Sequence, residues 1–365
     1  MSGVSGAAHS STAAALPVRR APIAMSAVWR RPTWRPVAGD SVGGIAGFTR
    51  IGDTLVVLEP HAHRVLLLRV DGAEWRAVGG WGRRGGGPGE FQRPVAIAAL
   101  AGDTIAVAEE GGRVQLFTLD GRYHRAERSA FPCMMLQAAV AYEEDGTRWL
   151  AGLCIGSRAA ADTIFTALFR ASRDGDYAEV LRVPRMTLDL SWGELLATPH
   201  PLSDAGDAGD AGERTGGAVW LGIGLDDCVY EMTGGTTTPH RRCNLVRERL
   251  SSPPPEGLEE DRRRARQRGD QKMLRALRWP ESLPPYFGIV RDAAGGTVLA
   301  RPVSGDSLVL VPAGEPFDTD HVRLVAPIRP FLQCVRGACL WFDAERGSIA
   351  LHDATGADAA PSRAP

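Results

Sequence analysis

Apolar residues along this chain fall in short runs of roughly five to seven, each bounded by Gly or Asp and separated from the next by a polar break. GDTLVVLEPHAHRVLLLRVDG from Gly52, GDTIAVAEEGGRVQLFTLDG from Gly102 and GGAVWLGIGLDDCVYEMTGG from Gly216 can be set beneath one another. So can GGTVLARPVSGDSLVLVPAG from Gly295 and RGACLWFDAERGSIALHDATG from Arg336, while GTRWLAGLCIGSRAAADTIFTALFRASRDG from Gly146 is the same unit with a longer break. Each unit reads as two β-strands joined by a turn, and a helical period is absent from all of them.

A shorter apolar run precedes most copies, as in VGGIAGF, VAIAAL, MMLQAAV and YFGIV, and a fourth run follows some of them, as in EWRAVG and RYHRAER. Four antiparallel strands per unit, recurring every 40 to 50 residues or so, are the pattern of a β-propeller blade. One such sheet cannot bury both of its faces, whereas sheets packed face to face around an axis can. The expectation is an all-β fold, a six-bladed β-propeller, with blades near 42–80, 94–128, 133–183, 188–248, 286–325 and 328–355. The last copy supplies only three strands, so Val28 to Val37 is expected to return beside it and seal the ring. The propeller then spans 28–355, with tails of disordered composition at 1–27 and 356–365.

The stretch GPGEFQRPVAIAALAGDTIAVAEEGGRVQLFTLDG, Gly87 to Gly121, resembles an NHL-type repeat. The Gly-Pro-Gly-x-Phe segment, the Arg113-Val114-Gln115-Leu116-Phe117 run and Asp120-Gly121 carry the likeness; Glu109 and Gly112 depart from the Asp and Asn usual there. The resemblance implies a propeller. It implies no single function, because similar propellers serve as RNA binders, protein binders, lyases and lactonases.

Gly80, Gly82 and Gly85 also satisfy a G-x-G-x-x-G pattern. A dinucleotide fingerprint needs a helix to open directly after the glycines, so that its N-terminus faces the pyrophosphate. Here Pro88, Gly89 and Pro94 follow and then a β-rich run, so the glycines read as a connector between two blades, with Phe91 as its apolar anchor.

Composition narrows the function classes. The chain has 365 residues, 23% charged and 44% hydrophobic, with a formal net charge of −1, which offers no field to attract nucleic acid. No stretch approaches the roughly 18 apolar residues of a membrane-spanning helix, and no apolar signal segment precedes Arg19 and Arg20. One interruption is helical: 251–285, between the fourth and fifth blades, where Glu259, Glu260 and Asp261 sit at the start of a helix. Glu259 lies four before Arg263 and Glu260 four before Arg264, so the arginines read as a self-paired face, with Gly269 dividing two short helices.

Candidate chemistry is sparse. Glu59, His61 and His63 offer a possible metal set, since i and i+2 share a face in a strand, but the same residues read first as the solvated break between two strands. A lactonase-like propeller would hold a divalent cation in its channel with Glu, Asn and Asp, and Asn244 is the single asparagine of the chain. No cofactor, no metal ligand set and no nucleophile triad is expected. Strand direction puts Glu59, His61, His63, Glu109, Glu110, Asp226 and Asp227 in second-to-third-strand loops. Those loops open on the same face as the inter-blade connections that carry Arg93 and the helical insertion. That face is the expected binding site of a non-catalytic scaffold for a peptide, protein or glycan, working as a monomer, with a metal-dependent lactonase-like hydrolase as the alternative.

Six cysteines fall in three neighbouring pairs: Cys334 with Cys339, Cys228 with Cys243, and Cys133 with Cys154. A two-residue turn at Arg336-Gly337 sets the first pair opposite each other, and a turn centred on Gly235-Thr236 does the same for the second. Three disulfides would favour an extracytoplasmic protein; six buried thiols in a reducing compartment is the other reading.

Overall fold

The computed structural model describes residues 18–19, 33–100, 103–128, 133–142, 148–156, 164–171, 177–185, 197–201, 218–223, 228–233, 240–246, 249–250, 257–276, 286, 288–291, 297–302, 307–313, 324–327, 331–335 and 338–353. The strands of the first half are β1 (Val18–Arg19), β2 (Trp34–Ala38), β3 (Gly47–Ile51), β4 (Thr54–Glu59), β5 (Arg64–Asp71), β6 (Glu74–Trp81), β7 (Arg83–Arg84), β8 (Glu90–Phe91), β9 (Pro94–Ala99), β10 (Thr104–Glu109), β11 (Arg113–Thr118) and β12 (Tyr123–Arg128). They are followed by β13 (Cys133–Tyr142), β14 (Arg148–Gly156), β15 (Ile164–Ala171), β16 (Ala178–Arg185), β17 (Ala197–Pro201), β18 (Ala218–Ile223), β19 (Val229–Thr233), β20 (His240–Arg242) and β21 (Arg249–Leu250). Helices α1 (Leu258–Gln267) and α2 (Gln271–Ala276) come next. The chain then forms β22 (Gly288–Arg291), β23 (Thr297–Pro302), β24 (Ser307–Pro312), β25 (Leu324–Pro327), β26 (Phe331–Val335), β27 (Ala338–Asp343) and β28 (Ser348–Asp353).

The described residues are mostly β. Strands β9 to β12, β13 to β16, β17 to β20 and β22 to β25 each form a four-stranded antiparallel meander in chain order. Strands β3 to β6 and β26 to β28 form two further meanders, which β2 joins into one eight-stranded sheet. The first strand of each meander lies beside that of the next: β3 by β9, β9 by β13, β13 by β17, β17 by β22, β22 by β26, and β26 by β3. Between β3 and β9 the contact includes a buried hydrogen bond, in which Ala99 N–H donates to Thr49 Oγ1 at 3.3 Å. Successive antiparallel meanders whose first strands lie side by side are a β-propeller-type fold.

Strand periodicity explains why the second and third strands are almost continuously apolar. In β4, Leu55 and Val57 pack with Leu340, Phe342 and Ile349 of the last meander. Val56 and Leu58, pointing the other way, pack with Ile97, Ile105, Val107 and Phe117 of the next one. Strand β10 repeats the device, with Ile105 and Val107 facing back and Ala106 and Ala108 facing forward onto Phe165 and Phe169. The small alanines leave room for the large rings. Each fully buried Val or Leu side chain contributes roughly 1.5–3 kcal/mol, so burial on both faces accounts for most of the driving force.

The sequence places the first strand of the first meander at 42–48, whereas β3 occupies Gly47–Ile51. Val42 and Ile45 are buried, but they belong to an incoming connector whose Gly43 N–H is given to the Glu59 carboxylate rather than to a strand. The N-terminal segment does return to the last meander. Strand β2 runs antiparallel to β28, with Trp34 opposite Ala350, Arg35 opposite Ile349 and Pro36 opposite Ser348. It then continues parallel to β6, with Val37 opposite Trp75 and Ala38 opposite Arg76. Pro36 is tolerated because it sits where the strand passes from one partner to the other, and Val37 N–H supplies the next bond, to Gly347 O at 2.9 Å.

In the insertion, Gly269 at φ 66° separates α1 from α2, and the Asp270 carboxylate caps α2 by accepting from Met273 N–H at 2.8 Å. Glu260 pairs with Arg264 as expected, but Glu259 takes Arg262 instead of Arg263. Residues three apart are also neighbours on a helix surface, which makes that exchange nearly neutral.

Candidate functional site

The face that the sequence singles out is built from turns at the ends of second strands and the connectors entering each meander. At the first of these turns, Glu59 closes β4 and is buried. One of its oxygens accepts from Gly43 N–H at 3.1 Å, and the other pairs with Arg64 Nε at the start of β5. The Arg64 guanidinium then forks onto Asp40, NH1 to Oδ2 at 2.9 Å and NH2 to Oδ1 at 3.0 Å. The hydrogen bonds from Arg64 hold the Asp40 carboxyl below the usual carboxylate range, and the same bonds to Asp40, with Glu59 behind them, push Arg64 further up.

One meander later the arrangement recurs. Glu109 ends β10, buried, and Arg113 begins β11; Nε meets Oε1 at 2.6 Å, while Oε2 accepts from Gln92 N–H at 2.9 Å. Arg113 also donates to Gly86 O at 2.7 Å and Glu90 O at 2.8 Å, and Gln115 joins Glu109 to Glu90 O. A looser version closes the last meander, where Asp343 ends β27 and accepts from Glu345 N–H and Arg346 N–H at 3.1 Å each. In each full clasp a carboxylate at a strand end ties its own turn to the connector of the incoming chain.

The connector itself is the glycine-rich stretch. Gly80 lies within β6 and pairs with Leu66; Gly82 adopts φ 98° and packs so tightly on the Phe91 ring that no Cβ fits. Strands β7 and β8 pair in parallel across it, and β9 follows, so no helix N-terminus is present for a pyrophosphate. Phe91 is fully buried against Trp81 and Phe117, with ring centroids 6.0 and 5.7 Å away. Backbone N–H groups of the turn, that of Gly87 first, together with Arg83 hold the Glu90 carboxyl below its ordinary pKa.

The remaining candidates divide. Arg93 and Glu110 meet at 2.7 Å, and Glu110 N–H also donates to Arg93 O at 2.9 Å, so the connector and the turn do come together as strand direction requires. Residues 60–63 form a turn with His63 at φ 54°, so the i, i+2 rule for a shared strand face does not apply to His61 and His63. His61 is exposed beside Gly44, while His63 is half-buried with its Nδ1 out of water. Among the described residues no three His, Cys, Asp or Glu side chains converge to hold a metal. Asp226 and Asp227 lie outside the described residues.

What the sequence reading missed is the arginine partner of each carboxylate. The signal was present: Glu59 with Arg64 and Glu109 with Arg113 bracket equivalent turns in two copies of the repeat.

Cysteine chemistry is also in place. Cys228 and Cys243 are joined by a disulfide, with Cα atoms 4.0 Å apart, one step beyond the Val229–Arg242 pair. Cys154 and Cys339 each take part in a disulfide as well. The backbone register sets Cys334 opposite Cys339, and Cys133 opposite Gly156, two positions from Cys154.

No protein-family model and no curated protein sequence matches this chain. Solved structures do show likenesses. One is a streptogramin B lyase, at 10% identity and a TM-score of 0.43, covering 84% of this chain and 78% of that one. Another is a luciferin-regenerating enzyme, at 11% identity and 0.48, covering 88% and 94%. A third belongs to a nidogen/laminin complex, at 9% identity and 0.41, covering 80% and 87%. They include enzymes and a binding protein, and likeness at this level leaves the activity open. No helix among the described residues is long and apolar enough to cross a membrane.

Proposed function

We propose that residues 28–355 form a six-bladed propeller of the NHL-repeat kind. In this reading it serves as a non-catalytic scaffold that binds a peptide, protein or glycan on the face carrying the turns at 60–63 and 110–112. The side-by-side contacts between first strands of successive meanders support the blade count. The single observation behind the binding reading is the repeated carboxylate–arginine clasp. Glu59 and Glu109, the groups best placed to serve as cation ligands, are instead saturated by Arg64, Arg113 and backbone N–H groups. A face so braced offers a recognition surface with little ordering entropy left to lose on binding, with His61, Arg84 and Arg93 turned to solvent. The Cys228–Cys243 disulfide supports placement outside the reducing cytoplasm.

Glycan and peptide arrays probed with the wild-type protein and with a His61→Ala, Arg84→Ala, Arg93→Ala variant test the reading. Binding that the triple variant loses supports it. Turnover of a lactone panel that requires an added divalent cation and disappears in Glu59→Gln or Glu109→Gln would replace it with the hydrolase.

A further inference from the structure

The helical insertion is tethered at both ends to one residue. On the N-terminal side the chain leaves β20 at Cys243, which is bonded to Cys228. On the C-terminal side it re-enters the propeller at Tyr286, two residues before β22, and there the buried Tyr286 hydroxyl donates to Cys228 O at 2.7 Å. Cys228 itself is fully buried at the start of β19, so a single rigid point holds the roots of an excursion that contains α1 and α2. The two tethers differ in kind: one is a hydrogen bond sealed from solvent, the other a covalent bond that ends on an exposed residue, Cys243.

We propose that Cys228–Cys243 is a thiol–disulfide exchange site, opened by an external dithiol, and that its opening releases the N-terminal root of the α1–α2 hairpin. Exchange requires a thiolate to approach a sulfur along the S–S axis, so access selects which disulfide reacts. Of the two halves of this bond, Cys243 is exposed and Cys228 is buried, so the attack falls on Cys243. The dithiol's thiolate attacks Cys243 Sγ and forms a mixed disulfide, and Cys228 Sγ leaves and takes up a proton. The second thiol of the reductant then attacks its own sulfur in that bond, and Cys243 is released as a thiol. Two electrons pass to the protein, and the dithiol becomes a disulfide. Beyond Cys243 the chain is then held by buried Val246 and by the two-residue pairing of β21 with β1, while the Tyr286 tether stays closed. Leu258 and Ala265 are the buried residues of α1, and Met273 of α2 is exposed.

The experiment uses the full oxidised chain, titrated with reduced and oxidised dithiothreitol and trapped by alkylation, each cysteine being read by peptide mapping. Trypsin cleavage after the arginines of α1 is followed in parallel. The expected result is alkylation of Cys228 and Cys243 at a dithiol ratio that leaves Cys154 and Cys339 protected. Cleavage in α1 should then be about tenfold faster, with the cooperative thermal transition retained. A Cys228→Ser, Cys243→Ser variant should show the fast cleavage without reductant; if it does not fold, the titration of the wild type decides alone. Co-reduction of all the disulfides only as the protein unfolds overturns the proposal, and so does a cleavage rate within about twofold of the oxidised protein after selective reduction. Neither outcome depends on whether the face binds a ligand.

Discussion

Arg113 reaches Glu109 across the turn between β10 and β11, Nε to Oε1 at 2.6 Å, with the two side chains only 14% and 4% exposed. A pair this withdrawn from water is costly to break from one side, because the survivor keeps its charge without its partner. Arg113→Ala should therefore destabilise the protein by about 3–5 kcal/mol, measured as a shift in the urea midpoint. Adding Glu109→Gln should recover part of that loss. A double variant as unstable as the sum of the two single ones would mean that the pair is not coupled.

Gly121 lies at φ 87° with Trp81 packed where its Cβ would stand, and Trp81 Nε1 donates to Leu119 O at 3.2 Å just before it. Gly121→Ala meets strain and overlap together. A loss of about 2–4 kcal/mol is expected, read as a lower thermal midpoint with reduced indole burial in the fluorescence spectrum. Gly52 also has positive φ, at 55°, but open space around it, so Gly52→Ala should cost less than half as much.

Acid should loosen the first turn through Asp40. Its carboxyl is depressed in the folded chain by Arg64. The stabilisation it contributes is therefore complete above the unfolded pKa, about 3.9, and is lost as pH falls through the lower folded value. Urea midpoints taken from about pH 5 downward should fall more gently in Asp40→Asn than in the wild type. Parallel slopes would show that the Asp40–Arg64 fork contributes nothing to acid sensitivity.

Deleting residues 1–38 removes β2 and with it the partners of Ser348 to Ala350 and of Trp75 and Arg76. The exposed edges of β28 and β6 should then pair between molecules. Light scattering should report concentration-dependent association, together with a lower thermal midpoint.

The hairpins were legible in sequence because burial on both faces gives β4, β5, β10 and β11 an unmistakable apolar run, and a short polar break separates each pair. Connectors were harder. Val42 and Ile45 are apolar and buried like strand residues, yet the Gly43 N–H between them serves Glu59, and nothing in composition separates the two roles. The second, parallel partnership of β2 with β6 was invisible for a related reason. It depends on where two distant edges meet in space, and Val37 and Ala38 carry no mark of it. At the site, strand direction put Arg93 in a connector and Glu110 in a turn, and the two side chains meet at 2.7 Å. Strand direction alone did not show that Glu59 and Glu109 were already occupied; that was carried by the recurrence of an arginine just after each turn, Arg64 and Arg113.

The order of synthesis gives β2 a further role. It leaves the ribosome before any strand of the meanders, yet its antiparallel partner, Ser348 to Ala350, belongs to β28, the last strand of the last meander. At typical translation rates that is a wait of roughly 15 to 60 s. Strand β6 emerges early, and its pairing with Val37 and Ala38 can park the waiting segment against the first meander. Only a chain translated through Ala350 can satisfy both sides of β2, and one that stops short leaves that strand with an open edge.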